Sequence, residues 1–481
     1  MIDCVEKVSM TLNDDFIWAC LYITAMCTVS LYLFKIILSK RNAIQSSSIA
    51  QKDDGAFRSL RWRYLGGYTF AVLADWLQGP YVYALYSAYG IDKATNGWLF
   101  ICGFGSSMLF GTMVASLADK FGRKRFVILF CMLYGFACFT KHFSYLPILF
   151  LGRLVSGVST SLLFSVFESW LCGEAERIGL KDRLSELFAL QVIVNSIATV
   201  SAGVLAQFVS DLSYMQKFKY NNSNYVDVWN DILTSFHYGG YVSPFDLAIF
   251  SLCIAAIVVS LFWTENFGQQ KSASSEASNR KVTKDSESVE KSKHTSVIRN
   301  FSVVLSTHDI RTCGLISALF EASMYIFVFM WTPSLQSASS GDSNRLSFGL
   351  IFASFMLACM LGSQLFSLIG SESKALNVCI SLALLSHAVA AITATSNPQV
   401  CFLAFLAFEC SVGLYFPSMG TIKARVVPES IRAGVYSIFR VPLNAIVVIT
   451  LLSNVSTNTA FKLTATLLGT ASLLMMSFYN R

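Results

Sequence analysis

This chain is short of charge. Asp, Glu, Lys and Arg make up 14% of 481 residues against 54% apolar, where a soluble domain carries about a quarter charged. An ordinary soluble globule is thereby excluded. Histidine is scarcer still, with five scattered residues. No Gly-rich phosphate loop, nucleophile constellation or His/Cys metal spacing occurs, so an enzyme, a cofactor and a metal site are not expected. The thirteen cysteines lie mostly inside apolar runs, without paired spacing in an outer loop; they read as small apolar fillers, not as a disulfide framework. Period-two alternation is absent too, which excludes a membrane-spanning barrel.

What is present is one apolar run after another, each about 18–26 residues and able to span a core of about 30 Å as a helix. One covers 16–38. Six follow at 64–89, 97–118, 126–143, 146–172, 184–209 and 245–263. Six more lie at 313–335, 346–367, 375–394, 400–422, 435–452 and 461–479. Backbone polar groups cannot stay open in lipid, so each run is read as a helix. The expected fold class is an all-α integral membrane protein of two six-helix halves plus one extra N-terminal transmembrane helix.

The net charge of +7 does not point to nucleic acid, because it is split among alternate loops. One set holds Arg58, Arg61 and Arg63, then Lys120 to Arg125, then Arg177, Lys181 and Arg183, the stretch 271–311, and Lys423, Arg425 and Arg432. The intervening loops hold only Lys93, Lys141, Lys217, Lys219 and Arg345. The positive-inside rule places the first set in the cytoplasm. Two sequons, Asn221 and Asn454, then fall outside as glycosylation candidates, and Asn300 falls inside. The run 16–38 follows Asp14 and Asp15 and lacks a cleavage site, so it reads as a retained N-out helix rather than a signal peptide. The cell membrane is the expected location, with an internal membrane as the alternative.

Four segments are expected: an anchor helix with a basic cytoplasmic stretch (1–63), a six-helix half (64–263), a cytoplasmic linker (264–311) and a second six-helix half (312–481). The Ser-, Lys- and Glu-rich core of the linker, 269–299, reads as flexible. The polar and aromatic insertion 211–243 lies outside, its structure undecided. Four acids sit within apolar runs and away from their ends: Asp75, Glu168, Glu321 and Glu409. A carboxylate in hydrocarbon costs several kcal/mol and needs a partner, a cavity or a function. The first pair is 93 positions apart and the second 88. The chain therefore reads as built twice, as many secondary transporters are.

Gly111, followed at Asp119 to Arg125 by DKFGRKR, resembles the signature loop of the major facilitator superfamily; Gly152, Arg153 and Gly157 resemble its second signature. Other strings narrow the likeness: ADWLQGPY (74–81), LFSVFESW (163–170), WTENFG (263–268), LFE (319–321), IFVFMWTP (326–333), GLYFPSM (413–419) and FRVPL (439–443). Together they resemble the molybdate-anion transporter group of that superfamily, from about residue 64 to the end, with the insertion 211–243 and the long linker as departures. The resemblance implies a twelve-helix core moving molybdate inward. It also implies a cavity lined by the helices that carry the four acids, and a latch between the halves at Gly111, Asp119, Gly122, Arg123 and Lys124.

Residue chemistry complicates that picture. Molybdate is a tetrahedral dianion, suited to Arg forks and hydroxyl or N–H donors. The membrane runs offer Arg153 and Arg440, either of which could instead neutralise Glu168 or Glu409. Softer donors are Gln78, Tyr81, Tyr83, Tyr325, Tyr415 and Asn444, each readable as packing. Pro80 and Pro417 can break a helix or only kink it. Desolvation favours the protonated form of a carboxyl in general, so proton-linked symport through Asp75 and Glu321 is one expectation. The rival pairs all four acids structurally with Arg153, Arg440 and Lys141. Three functions stay open: an oxyanion transporter, a proton-coupled carrier of a sugar or other polar solute, and a membrane sensor or scaffold that does not transport. A monomer is the default from the fold.

Overall fold

The computed structural model describes residues 12–43, 54–218, 232, 234–268, 304–338, 346–428 and 432–479. The linker core 269–299 and the sequons Asn221 and Asn300 lie outside the described residues. Helix follows helix: α1 Asp14–Ala43, α2 Asp54–Gln78, α3 Val82–Ala88, α4 Lys93–Phe121, α5 Arg123–Phe139, α6 Leu146–Arg177 and α7 Leu184–Asp211. Then come α8 Ser243–Phe262, α9 His308–Ala338, α10 Phe348–Ile369, α11 Glu372–Thr393, α12 Pro398–Val426, α13 Arg432–Leu452 and α14 Thr457–Tyr479. Among the described residues ten helices are long and apolar enough to cross a membrane.

The apolar run 64–89 differs from a single helix at its start and in its middle. Arg58, Arg61 and Arg63 ride on the first turns of α2 rather than in a loop, since arginine is a good helix former. The helix then breaks after Gln78. Pro80 has no N–H to donate and its ring excludes the carbonyl one turn back; a turn forms instead, with Gly79 N on Trp76 O and Tyr81 N on Gln78 O, both at 3.2 Å. Pro417, in contrast, stays inside a continuous α12. Capping residues fix other starts. The Asp92 carboxylate accepts from Ala94 N at 3.0 Å and Thr95 N at 3.2 Å, and the hydrogen bonds from the Thr95 hydroxyl and these amides hold its carboxyl below the usual range. Asn397 accepts from Val400 N at 3.1 Å, with Pro398 in the first turn of α12.

The helices group into two units. One comprises the described residues of 39–274 with 347–353. In it α2 packs on α7 and α8, α4 on α6, and α5 on α6 and α8. Its centre is aromatic, with the Trp170 and Trp263 rings stacked at 3.8 Å and Tyr64 stacked against both. The ends of the insertion are folded here. Strands β1 Gln216–Lys217 and β2 His237–Tyr238 pair antiparallel, Gln216 opposite Tyr238, and Phe236 bridges to Phe143 in the turn before α6.

The other unit comprises the described residues of 1–38, 275–346 and 354–481. Here α11 packs on α12 and α14, and α9 on α12, α13 and α14. Glycine sets one crossing: a Cβ on Gly362 would overlap the Cys410 carbonyl, and one on Gly413 the Cys359 carbonyl, so α10 and α12 touch backbone to backbone. The leading helix lies with this unit. The Thr28 hydroxyl of α1 donates to the Leu357 carbonyl of α10 at 3.5 Å, and the Phe16 ring meets Phe402 edge-on at 6.4 Å. Its other side, with Tyr22, Met26, Val29 and Leu33, is exposed, as suits a lipid-facing helix.

Candidate functional site

The four intramembrane acids have four different surroundings. Asp75, half-buried on α2, accepts a 2.5 Å hydrogen bond from the Tyr134 hydroxyl of α5. Glu168 on α6 is exposed and accepts from Gln191 Nε2 of α7 at 3.2 Å. Gln191 is held in turn by the Tyr64 hydroxyl, which donates to its Oε1 at 2.8 Å. Glu321 on α9 is the most heavily bonded: its Oε1 accepts from Lys423 Nζ at 2.9 Å, the Tyr415 hydroxyl at 2.8 Å and the Ser317 hydroxyl at 2.8 Å. Glu409, on α12, is 7% exposed, and among the described residues no hydrogen bond or ion pair reaches it.

The cations are not where the structural-pair expectation put them. Among the described residues none of the four acids pairs with Arg153, Arg440 or Lys141; the one of them in an ion pair is Glu321, with Lys423. Arg153 on α6 lies over the Phe100 ring at 4.4 Å and the Tyr86 ring at 5.5 Å. Lys141, 1% exposed, lies over the same Tyr86 ring at 5.5 Å. Arg440 is exposed on α13, within electrostatic reach of Tyr325 on α9. Asn444, half-buried, follows one turn later on α13.

Of the softer donors, Tyr415 joins an acid directly, through Glu321. Gln78 turns back on its own helix, donating to Ala74 O at 3.3 Å. Tyr81, fully buried in the turn after α2, donates to Gln207 Oε1 at 2.9 Å, and Gln207 Nε2 reaches Asp211 at 2.8 Å. Sequence reading missed Tyr134, Gln191, Tyr64 and Ser317. It placed Lys423 among the cytoplasmic charges, although Lys423 lies two helical turns beyond Tyr415 on one face of α12 and so reaches the same carboxylate.

The signature loop is knotted into its own bundle. Gly111 falls within α4. Asp119 Oδ1 accepts from Arg123 Nε at 2.8 Å, and Arg123 NH1 also donates to Ser169 O at 2.9 Å. The segment after α8 closes over these residues. Gly268 N donates to Asp119 O at 2.9 Å and Arg123 N to Asn266 O at 3.0 Å, while Lys124 N donates to Glu265 Oε1 at 2.8 Å. Gly122 has φ +112°, and a Cβ there would meet the Glu265 carboxylate at 2.7 Å, so glycine is required twice over.

Comparison with known proteins agrees with this architecture. A family profile described as sugar transporters with 12 transmembrane segments matches residues 26–409. The chain belongs to that family, within the major facilitator superfamily. The "Molybdate-anion transporter" of Xenopus tropicalis is 32% identical over 400 residues, 81% of this chain and 77% of that protein. That of Danio rerio is 30% identical over 432 residues, covering 87% and 84%. Among solved structures, the nucleoside transporter NupG superposes with TM-score 0.60 at 13% identity over 88% of this chain and 98% of its own. A D-xylose–proton symporter does so with TM-score 0.54 at 11% identity over 88% and 97%. This major facilitator protein is therefore an all-α, multi-pass membrane transporter.

Proposed function

We propose that this transporter imports molybdate, or a closely related tetrahedral oxyanion, by alternating access coupled to proton uptake, acting as a monomer in the cell membrane. The observation that carries the reading is the sequence identity, over most of the chain, to relatives named for that anion. The charge arrangement is compatible with it. A dianion approaching four carboxylates is repelled unless they are neutralised. Glu321 is met by Lys423, and Asp75 receives a hydroxyl proton donor. An ionised, unpaired Glu409 away from water costs several kcal/mol, so its charge is to be met by a proton or cation during the cycle. Glu409 and Asp75 are accordingly the residues assigned to coupling, with Glu321 as the paired acid that keeps α9 and α12 in register. Arg440, Tyr325 and Asn444, which share the facing surfaces of α13 and α9, are the substrate contacts proposed in the second unit. Asn454, exposed with φ 45° in the turn after α13, is the glycan acceptor that the proposed topology leaves on the outer side.

A second reading, a proton-coupled sugar or polar organic solute, is favoured by the family description and by tyrosine and amide groups suited to hydroxyls. Uptake in cells lacking their own carrier separates the two. Nanomolar molybdate should enter saturably and be blocked by excess tungstate, with xylose and nucleosides without effect. Competition by a sugar, with tungstate inert, assigns the second function instead.

A further inference from the structure

Buried polar atoms without partners cluster in one place in the first unit. Lys141 Nζ, Arg153 Nε, the Tyr86 hydroxyl and both side-chain polar atoms of Asn96 are buried and find no hydrogen-bond partner among the described residues. Lys141, Tyr86 and Asn96 are at most 1% exposed. They come from four elements. Lys141 stands in the 3₁₀ turn Thr140–His142 after α5, Arg153 in the third turn of α6, Tyr86 on α3 and Asn96 in the first turn of α4. The two cations share one face of surroundings, both lying 5.5 Å from the Tyr86 ring centre. Arg153 also covers Phe100, one helical turn beyond Asn96 on the same side of α4.

The site is built rather than accidental. Gly152 is what lets the Lys141 turn reach α6: a Cβ there would overlap the Thr140 hydroxyl and lie 3.4 Å from Lys141 Nζ. The Tyr89 hydroxyl donates to the Lys141 carbonyl at 2.5 Å, fixing the turn that presents the ammonium. The groups acting on Lys141 are the Tyr86 phenol, Arg153 and the Cys138 thiol, with no carboxylate among them. Two cations held together, with the Asn96 amide unpaired beside them and, Arg153 apart, only the neutral Tyr86 phenol and Cys138 thiol acting on the ammonium, lack one thing: a negative charge with several acceptor oxygens. Aromatic faces soften the cost of burying a cation but do not satisfy its N–H groups.

We infer that Lys141, Arg153, Tyr86 and Asn96 form a binding site for a tetrahedral oxyanion, at the end of this unit opposite the Asp119–Lys124 loop. Arg153, half-buried, is the way in. The site rests on the oxyanion reading of the transporter and gives it a place of its own, away from the four acids. None of the donors is an acid, so binding here needs no proton.

The test is equilibrium binding of radiolabelled tungstate to the purified full-length protein in nanodiscs at constant ionic strength, read beside thermal melting. Saturable binding that molybdate displaces and chloride does not, weakened tenfold or more by Lys141→Met and severalfold by Tyr86→Phe, is expected. Tyr86→Phe keeps the ring and the packing, so it decides the matter if Lys141→Met fails to fold. No saturable tungstate binding by the wild-type protein overturns the site, as does equal displacement by chloride, or binding unchanged in both folded variants. Unchanged binding in the variants together with intact molybdate uptake removes the site and leaves the function. Tungstate binding that the variants abolish, with no molybdate flux in the wild type, keeps the site and removes the function.

Discussion

Glu321 and Lys423 show how a charge is made tolerable at the scale of one residue. The pair is about four-fifths buried on each side, 21% and 17% exposed, and two hydroxyls complete the carboxylate's shell. Replacing Lys423 by Met leaves the acid with neutral donors only and should lower stability by about 2 kcal/mol, the usual loss of a charge-assisted bond. Combining it with Glu321→Gln should recover much of that loss, and a double-mutant thermal-melting cycle reads the coupling; simple additivity would show that the pair is not a unit. Asp75 makes a different prediction. Uptake driven by a proton gradient rises as the outer medium is acidified, and Asp75→Asn should flatten that pH profile at unchanged surface expression. A profile unaltered by the substitution assigns Asp75 to structure.

At the scale of elements, glycine positions carry the sharpest expectations. Gly122→Ala forces a side chain into a left-handed backbone and against Glu265, a strain of about 1–3 kcal/mol, and should depress the melting temperature more than Gly420→Ala, whose Cβ meets nothing. Gly413→Val should prevent folding outright, because α12 then collides with the Cys359 carbonyl of α10; a normal yield of folded protein from that variant would show that the crossing can spread.

These elements also show what was legible beforehand. The apolar runs, the signature loop and the acids could be read from the chain because hydropathy and local spacing are one-dimensional. The break at Pro80 and the continuity through Pro417 could not be told apart, since the same residue is accommodated or not by what surrounds it. Tyr134, Gln191 and Lys423 stayed hidden as partners for a related reason: an aromatic, an amide or a helix-end lysine gains its role only when another helix is laid beside it. The placement of α1 against α10 and α12, marked by the Thr28 hydroxyl and the Phe16 ring, is announced by no periodicity.

For the whole molecule, two helical units each carry two of the acids, and their charges are met differently: tyrosine and glutamine donors in one, a lysine and bare burial in the other. This asymmetry inside a repeated frame suits a carrier that binds an anion on one set of groups and moves a proton on another. The central claim is oxyanion transport, and purified protein in liposomes tests it without other carriers present. Saturable uptake of radiolabelled molybdate, accelerated by an inward proton gradient and stopped by tungstate, is the expected result. Liposomes that hold folded protein and take up no molybdate above the protein-free rate would contradict it.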